Sequence, residues 1–299
     1  MAETQGFAVA EIESLELERK SPLAEMYTLS PFVWRQSSQY GVLLRAVNRS
    51  TIAADKVARI YYGVSRDGLR FIMGDHPVIA PGPGEKDKDG CEDPTLAVVD
   101  ATYYVYYTGW NQTFKRGQLL LAAGPDIEHL EKRGVALSSR PQCENPKEAT
   151  IVRVADGTWR LFFEYAFGGA SKIGIASAPA VAGPWRVLDS FFDPRPLRWD
   201  SWHLSTGPVL ATDSRRPVMF YNGATREAKW RIGWAMFDEN YTRIVARCEE
   251  PLVTPPPPGE SSDTDVAFAA SSVEENDAIY LYYSIADRIM FRATVRRST

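Results

Sequence analysis

Apolar and polar residues alternate one by one along most of this chain. The runs YGVLLRAV, ARIYYGV, YYVYYTGW, GQLLLAAG, TWRLFFEYA, KIGIASA, PVMFYNGA, RIGWAMF, AIYLYYSIA and RIMFRATV are rich in β-branched and aromatic residues and broken by Gly, Asp, Asn or Pro. A period of two puts successive side chains on opposite faces of a strand, so the pattern predicts short β-strands joined by tight turns. Amphipathic helices are scarce, and residues 9 to 20 are the best candidate for a short one.

The predicted strands also recur in a fixed order. First strands begin near SPFVW at 30, EDPTLAVV at 92, KEATIVRV at 147, STGPVLAT at 205 and DVAFAASS at 265. A four-strand unit repeated about every 55 to 62 residues predicts an all-β fold, a five-bladed β-propeller forming a single domain over 1–299. Residues 1–27 form an N-terminal extension. The run TPPPPGE (254–260) falls between the fourth and fifth units and reads as a stiff connection, because neither side of it would hold a complete core. A β-sandwich with irregular strands is the competing architecture.

Composition narrows the function classes. A formal charge of -4 with no dense Lys/Arg block argues against a nucleic-acid partner. No segment approaches the roughly 20 apolar residues of a membrane span, so no membrane partner is expected. Cys91, Cys143 and Cys248 are odd in number, far apart and not in a metal-ligand spacing. They read as free thiols of a reducing compartment, and the acidic N-terminus lacks a signal-peptide pattern, so the expected location is cytoplasmic. No His/Asp/Glu cluster has metal-ligand spacing, and neither metal nor cofactor is implied. The 8 Trp and 14 Tyr would serve a β core or sugar stacking equally. Trp110, Trp199 and Trp202 are the candidate platforms.

In a propeller the first strand of each blade lines the central channel, so the five first-strand starts meet at one mouth. They carry Ser30, Glu92 with Asp93, Lys147 with Glu148, His203 through Thr206, and Asp265. Buried ionised groups cost free energy unless they are paired or used, so a recurring polar ring marks a site. Facing carboxylates suit glycosidic-bond chemistry, one protonating the leaving oxygen and another activating water. Crowding several of them raises the pKa of at least one.

The ordered motifs LLRAVNR, YYGVSRDGLRF, GCEDPTL, DATYYVYYT, NPKEATIV, WDSWHLSTGPVL, VMFYNGA and AIYLYYSIADRIMFRATV resemble glycoside hydrolase family 130, the five-bladed mannoside phosphorylases and mannosidases. The likeness spans residues 28 to 299. It implies that Asp93 is the general acid and that Arg45, Lys147 and Asp287 hold the terminal sugar. Glu92 would orient its neighbours or bind a sugar hydroxyl, and His203 would hydrogen-bond sugar or water. The resemblance breaks at three places. Thr95 follows Glu-Asp-Pro where the phosphorylases have arginine, Glu164 stands where they have a second phosphate-binding arginine, and Glu148 replaces an aspartate. Losing two cations and gaining an anion weakens phosphate binding unless Arg153, Arg198 or Arg226 takes over. The expected activity is therefore an inverting glycoside hydrolase cleaving β-mannosides or a related oligosaccharide, with Glu164 or Glu148 as base. A phosphate-dependent mannoside phosphorylase and a catalytically silent sugar-binding propeller are the alternatives. Glycoside hydrolase family 43, another five-bladed group, expects an acid where blade one here reads LSPFVW.

Overall fold

The computed structural model describes residues 6–50, 52, 55–256 and 265–298. Among them there is no α-helix, and the 3-10 turn Leu23–Glu25 stands before the first meander. Two strands open the chain, β1 (Gly6–Ser14) and β2 (Glu16–Glu18). A first meander follows, β3 (Met26–Gln36), β4 (Gln39–Asn48), β5 (Ala58–Ser65) and β6 (Arg70–Ile79). The second is β7 (Gly90–Val99), β8 (Thr102–Asn111), β9 (Arg116–Gly124) and β10 (Glu131–Leu137), joined to the first by one parallel bridge, Ala58 to Gly90. The third is β11 (Glu144–Arg153), β12 (Trp159–Phe167), β13 (Ala170–Ala178) and β14 (Arg186–Leu188).

The next stretch is interrupted. It comprises β15 (His203–Ser205), β16 (Val209–Leu210), β17 (Val218–Met219), β18 (Asn222–Ala224), β19 (Trp230–Ile232), β20 (Ala235–Phe237) and β21 (Ile244–Arg247). β15, β18 and β19 form one ladder, and β16, β17, β20 and β21 form another. Gly207 and Pro208 lie at the break, and the bonds Phe220 N–H to Pro208 O (2.9 Å) and Gly233 N–H to Tyr221 O (3.0 Å) carry the pairing across it. Only glycine fits at 207, where a Cβ would lie 1.8 Å from the Phe220 carbonyl oxygen. The last meander is β22 (Ala267–Glu275), β23 (Ala278–Ile285) and β24 (Ile289–Ser298).

Each sheet packs its face on the next, and the last packs on the first. Val42, Leu44 and Phe71 share a core with Tyr282 and Met290, Leu43 and Ile60 with Val105 and Leu120, and Tyr106 and Leu119 with Leu161 and Phe163. Phe162 and Ile173 then join Phe220, Tyr221, Leu281 and Tyr283. A β-sandwich has two facing sheets and one core, whereas this succession is that of a propeller-type fold. The first strands begin within a few residues of the starts read from the sequence. Of the proline run, residues 257–260 lie outside the described residues.

The expected helix over residues 9 to 20 is not formed. β1 pairs antiparallel with β24, from Gly6 opposite Ser298 to Ser14 opposite Phe291, and β2 pairs with β6. A bulge between Val9 and Glu11 shifts the alternation by one residue, which blurs the period of two. Phe7 and Val9 face the core before it, and Glu13 beyond it pairs with Arg292 at 2.7 Å. The segment expected to stand outside the repeats thus supplies the edge strands of the last and first sheets.

Hydrogen bonds link the inner strands into a circuit. Ser30 Oγ donates to Asp93 Oδ1 (2.9 Å), Thr95 Oγ1 to Ala149 O, and Thr206 Oγ1 to Glu148 O. The buried Asn222 donates to Thr206 O (2.6 Å) and Ala269 O (3.2 Å) and accepts from Ala269 N–H (2.7 Å). Ser271 Oγ closes the circuit onto Pro31 O (2.7 Å). Replacing Asn222 by alanine orphans buried donors and acceptors, so we expect a loss of roughly 2–4 kcal/mol of stability. Denaturant unfolding measures it, and an unchanged midpoint would show that the circuit does not stabilise the ring.

Candidate active site

Three of the inner strands carry the same local distortion. The register slips between Leu29 and Phe32, between Glu92 and Thr95, and between Lys147 and Thr150. At each slip one non-glycine residue is left-handed: Ser30 (φ 51°), Asp93 (φ 49°) and Glu148 (φ 50°). That conformation costs of order 1–3 kcal/mol per residue and persists where the surroundings impose it. A bulge breaks the in–out alternation, so here it re-aims one side chain per strand. All three line one cavity of about 300 Å³, with Arg45, Lys147, Glu164 and Asp287. Asp287 is itself left-handed (φ 52°), in the turn between β23 and β24.

The charges are arranged in pairs. Arg45 reaches Glu92 Oε1 (2.9 Å) and Asp93 Oδ1 (3.3 Å). Lys147 and Glu164 are cross-strand partners on β11 and β12, with Nζ 3.3 Å from Oε1. The other oxygen of Glu164, Oε2, is buried and has no hydrogen-bond partner. Asp93 and Glu148 are hydrogen-bonded to each other.

Burial opposes ionisation of each of these carboxyls, and the outcome depends on the neighbours. At Asp93 burial is overcome by Arg45, then Lys147, then hydrogen bonds from Ser30 and Glu148, and its pKa falls below the usual aspartate value. At Glu148 burial and the Asp93 charge outweigh Lys147 and lift the carboxyl well above the usual glutamate range. Glu92 and Asp287 are raised too, in both cases mainly by burial. Lys147 is raised by Glu164 against burial, so it stays charged. Of the pair, Glu148 is thus the carboxyl that keeps its proton to higher pH and Asp93 the one that ionises first.

The remaining sequence-read residues are distributed as follows. Glu92 stands behind Arg45 and does not line the cavity. His203 accepts a hydrogen bond at Nδ1 from Ser171 N–H (3.0 Å), which leaves its ring proton on Nε2. Burial lowers its pKa, with Glu164 opposing. Asp265, expected at the mouth, is instead tied to Arg231 at 2.7 Å, and Val266 and Phe268 take the place. Thr95 lies deeper in the channel, its hydroxyl committed to Ala149 O.

None of the three candidate tryptophans lines the cavity. Trp199 stacks on Tyr221 at 5.4 Å, Trp202 lies under the Arg226 guanidinium, and Trp110 bonds Gln112. Trp230 lines it instead, with Phe268, Tyr27, Lys56 and Ser284. Trp230 opens β19, a third strand, and no spacing in the sequence marks it. Lys56 falls just before β5, also without a motif.

No family model matches the chain. Among curated proteins it is similar to a 1,2-beta-oligomannan phosphorylase of Thermoanaerobacter, 27% identical over 247 residues, 78% of this chain and 77% of that protein. A beta-1,2-mannobiose phosphorylase of Listeria innocua is 27% identical over 233 residues, 76% of this chain and 63% of that protein. Among solved structures, the beta-1,2-mannobiose phosphorylase of Listeria innocua with bound mannobiose superposes with a TM-score of 0.76 at 20% identity, over 95% of this chain and 90% of that one. Another, described as showing that the family 130 mannoside phosphorylases contain hydrolases targeting beta-1,2 mannosidic linkages in Candida mannan, reaches 0.76 at 24% identity, over 90% and 84%. The chain is thus similar in sequence to mannoside phosphorylases and in fold to structures of glycoside hydrolase family 130.

Proposed function

We propose that this protein is a five-bladed, single-domain propeller that hydrolyses β-mannosides with inversion. The observation that carries the reading is the buried, unpartnered Oε2 of Glu164 in a cavity that also holds a proton-sharing carboxyl pair. Arg45, Lys147 and Asp287 seat the terminal sugar, backed by Glu92, and His203 offers its Nε2–H at the rim. The proton passes to the leaving oxygen through Asp93, replenished from Glu148. Glu148, hydrogen-bonded to Asp93 and raised well above the usual range, suits a proton reservoir better than a base. Glu164 is the base that polarises water. The buried, free thiols of Cys91, Cys143 and Cys248 suit a reducing, cytoplasmic setting.

A second reading, phosphorolysis, is favoured by the names of the curated relatives, which are phosphorylases. Local charge speaks for hydrolysis. Arg45 and Lys147 are both engaged by carboxylates, and a phosphate dianion would meet Asp93, Glu164 and Asp287. Arg153, Arg198 and Arg226 do not line the cavity; Arg198 pairs with Glu249 at 2.6 Å. Incubation with β-mannobiose, with and without phosphate, decides between the readings. Free mannose at a rate independent of phosphate is expected. Phosphate-dependent sugar 1-phosphate would replace the proposal by the phosphorylase, and no product by a sugar-binding role.

A further inference from the structure

A second cavity of about 350 Å³ lies where the start of β11 meets the turn between β8 and β9. One wall is the turn between β8 and β9, with Phe114, Lys115 and Arg116, and the other is the segment of Ser139 to Asn145, with Arg140 and Glu144. Both walls are fixed by hydrogen bonds. Asn145 Oδ1 accepts from Gly117 N–H (2.8 Å), Asn145 N–H donates to Ser139 Oγ (3.1 Å), and Arg140 and Cys143 exchange backbone bonds at 3.1 and 2.9 Å. The turn itself is capped by Phe114 N–H to Asn111 Oδ1 (3.0 Å).

The chemistry of the lining is one-sided. Lys115, Arg116 and Arg140 have no carboxylate partner among the described residues, in a chain whose net charge is negative. The amide nitrogen of Asn145 adds a further donor, and Glu144 is the single acid. Phe114 is 66% exposed at the lip, a large ring with no ring stacked on it among the described residues. Donors of this kind match an oxyanion, which only accepts, and a bare aromatic face matches the apolar face of a sugar ring. Asn145 and Glu148 are three residues apart on β11, which bulges on either side of Lys147, so they lie no more than about 11 Å apart. An oligosaccharide of a few residues spans that distance.

We infer that this cavity is a distal subsite for an anionic sugar residue, such as a phosphate-bearing hexose, of the glycan whose mannosidic bond is cut in the main cavity. The inference rests on the proposed function for its link to turnover, and its test is a binding measurement that does not. Calorimetric titration compares mannose 6-phosphate, mannose and inorganic phosphate on the full chain. Mannose 6-phosphate is expected to bind at least tenfold more tightly than either, with a preference that shrinks as salt rises. Arg116→Gln combined with Arg140→Gln, both at exposed positions, is expected to remove that preference, and Phe114→Ala to reduce the sugar phosphate to the level of inorganic phosphate. Equal binding of mannose and its phosphate, or a preference surviving in the double variant, overturns the subsite. Inorganic phosphate binding as tightly as the sugar phosphate overturns its saccharide character. Failure of the mannosidase reading shows separately, as absent turnover of neutral mannobiose.

Discussion

Asp93→Asn is expected to lower turnover of a β-mannoside roughly 10²–10⁴-fold, the usual span for loss of general acid catalysis. Asparagine can still accept the hydrogen bond from Ser30 but carries no transferable proton. Arg45 keeps Glu92 at 2.9 Å, so its charge is not stranded, and the stability loss should be about 1–3 kcal/mol rather than the larger cost of an unpaired buried ion. A variant that stays active on a substrate with a poor leaving group would remove Asp93 from the mechanism. The pH profile tests the shared proton. Glu148 is raised and Asp93 lowered, so the pair keeps its proton below the raised Glu148 pKa and loses it as pH climbs through that value. Activity should fall along that alkaline limb. Glu148→Gln leaves only the low Asp93 carboxyl, held by Arg45 and Lys147, and moves the limb to lower pH. An unmoved limb would separate Glu148 from proton delivery.

Glu164→Gln is expected to cut hydrolysis by a similar 10²–10⁴-fold while leaving phosphorolysis, if there is any, intact or faster. The glutamine keeps the shape of the buried side chain and the contact with Lys147, but it can neither take a proton from water nor repel phosphate. Lys147, raised chiefly by Glu164, loses that support, so its pKa falls in the variant. Product analysis with and without phosphate reads both reactions at once. Hydrolysis at an undiminished rate would place the base elsewhere, and a gain in phosphate-dependent product would identify Glu164 as the group that excludes phosphate.

Much of this organisation is written in the chain. Alternation of apolar and polar residues predicts the strands because a pleated backbone sends neighbours to opposite faces, and the spacing of the units predicts sheets stacked in succession. Asp93, Lys147 and Glu148 are legible for the same reason, since a charged residue at the start of a buried run needs an explanation, whereas Glu164, within the run LFFEY, is marked only by the family resemblance. β1 is not legible, because its bulge breaks the period and its partner, β24, lies at the far end of the chain.

The tertiary structure decides what no one-dimensional pattern carries. Glu92 and Asp93 are adjacent in sequence, yet one lines the cavity and the other stands behind Arg45, because the bulge at Asp93 turns only that side chain inward. Trp230 rather than Trp199 or Trp202 faces the cavity, since which face of a strand looks into the channel depends on how the sheets meet. The opposite pKa shifts of Asp93 and Glu148 follow from which cations stand nearer each carboxyl. Composition and alternation fix what is buried and where strands run, because those are local consequences of the backbone. The facing of side chains from strands some 55 residues apart is set by packing, and on that facing the chemistry depends.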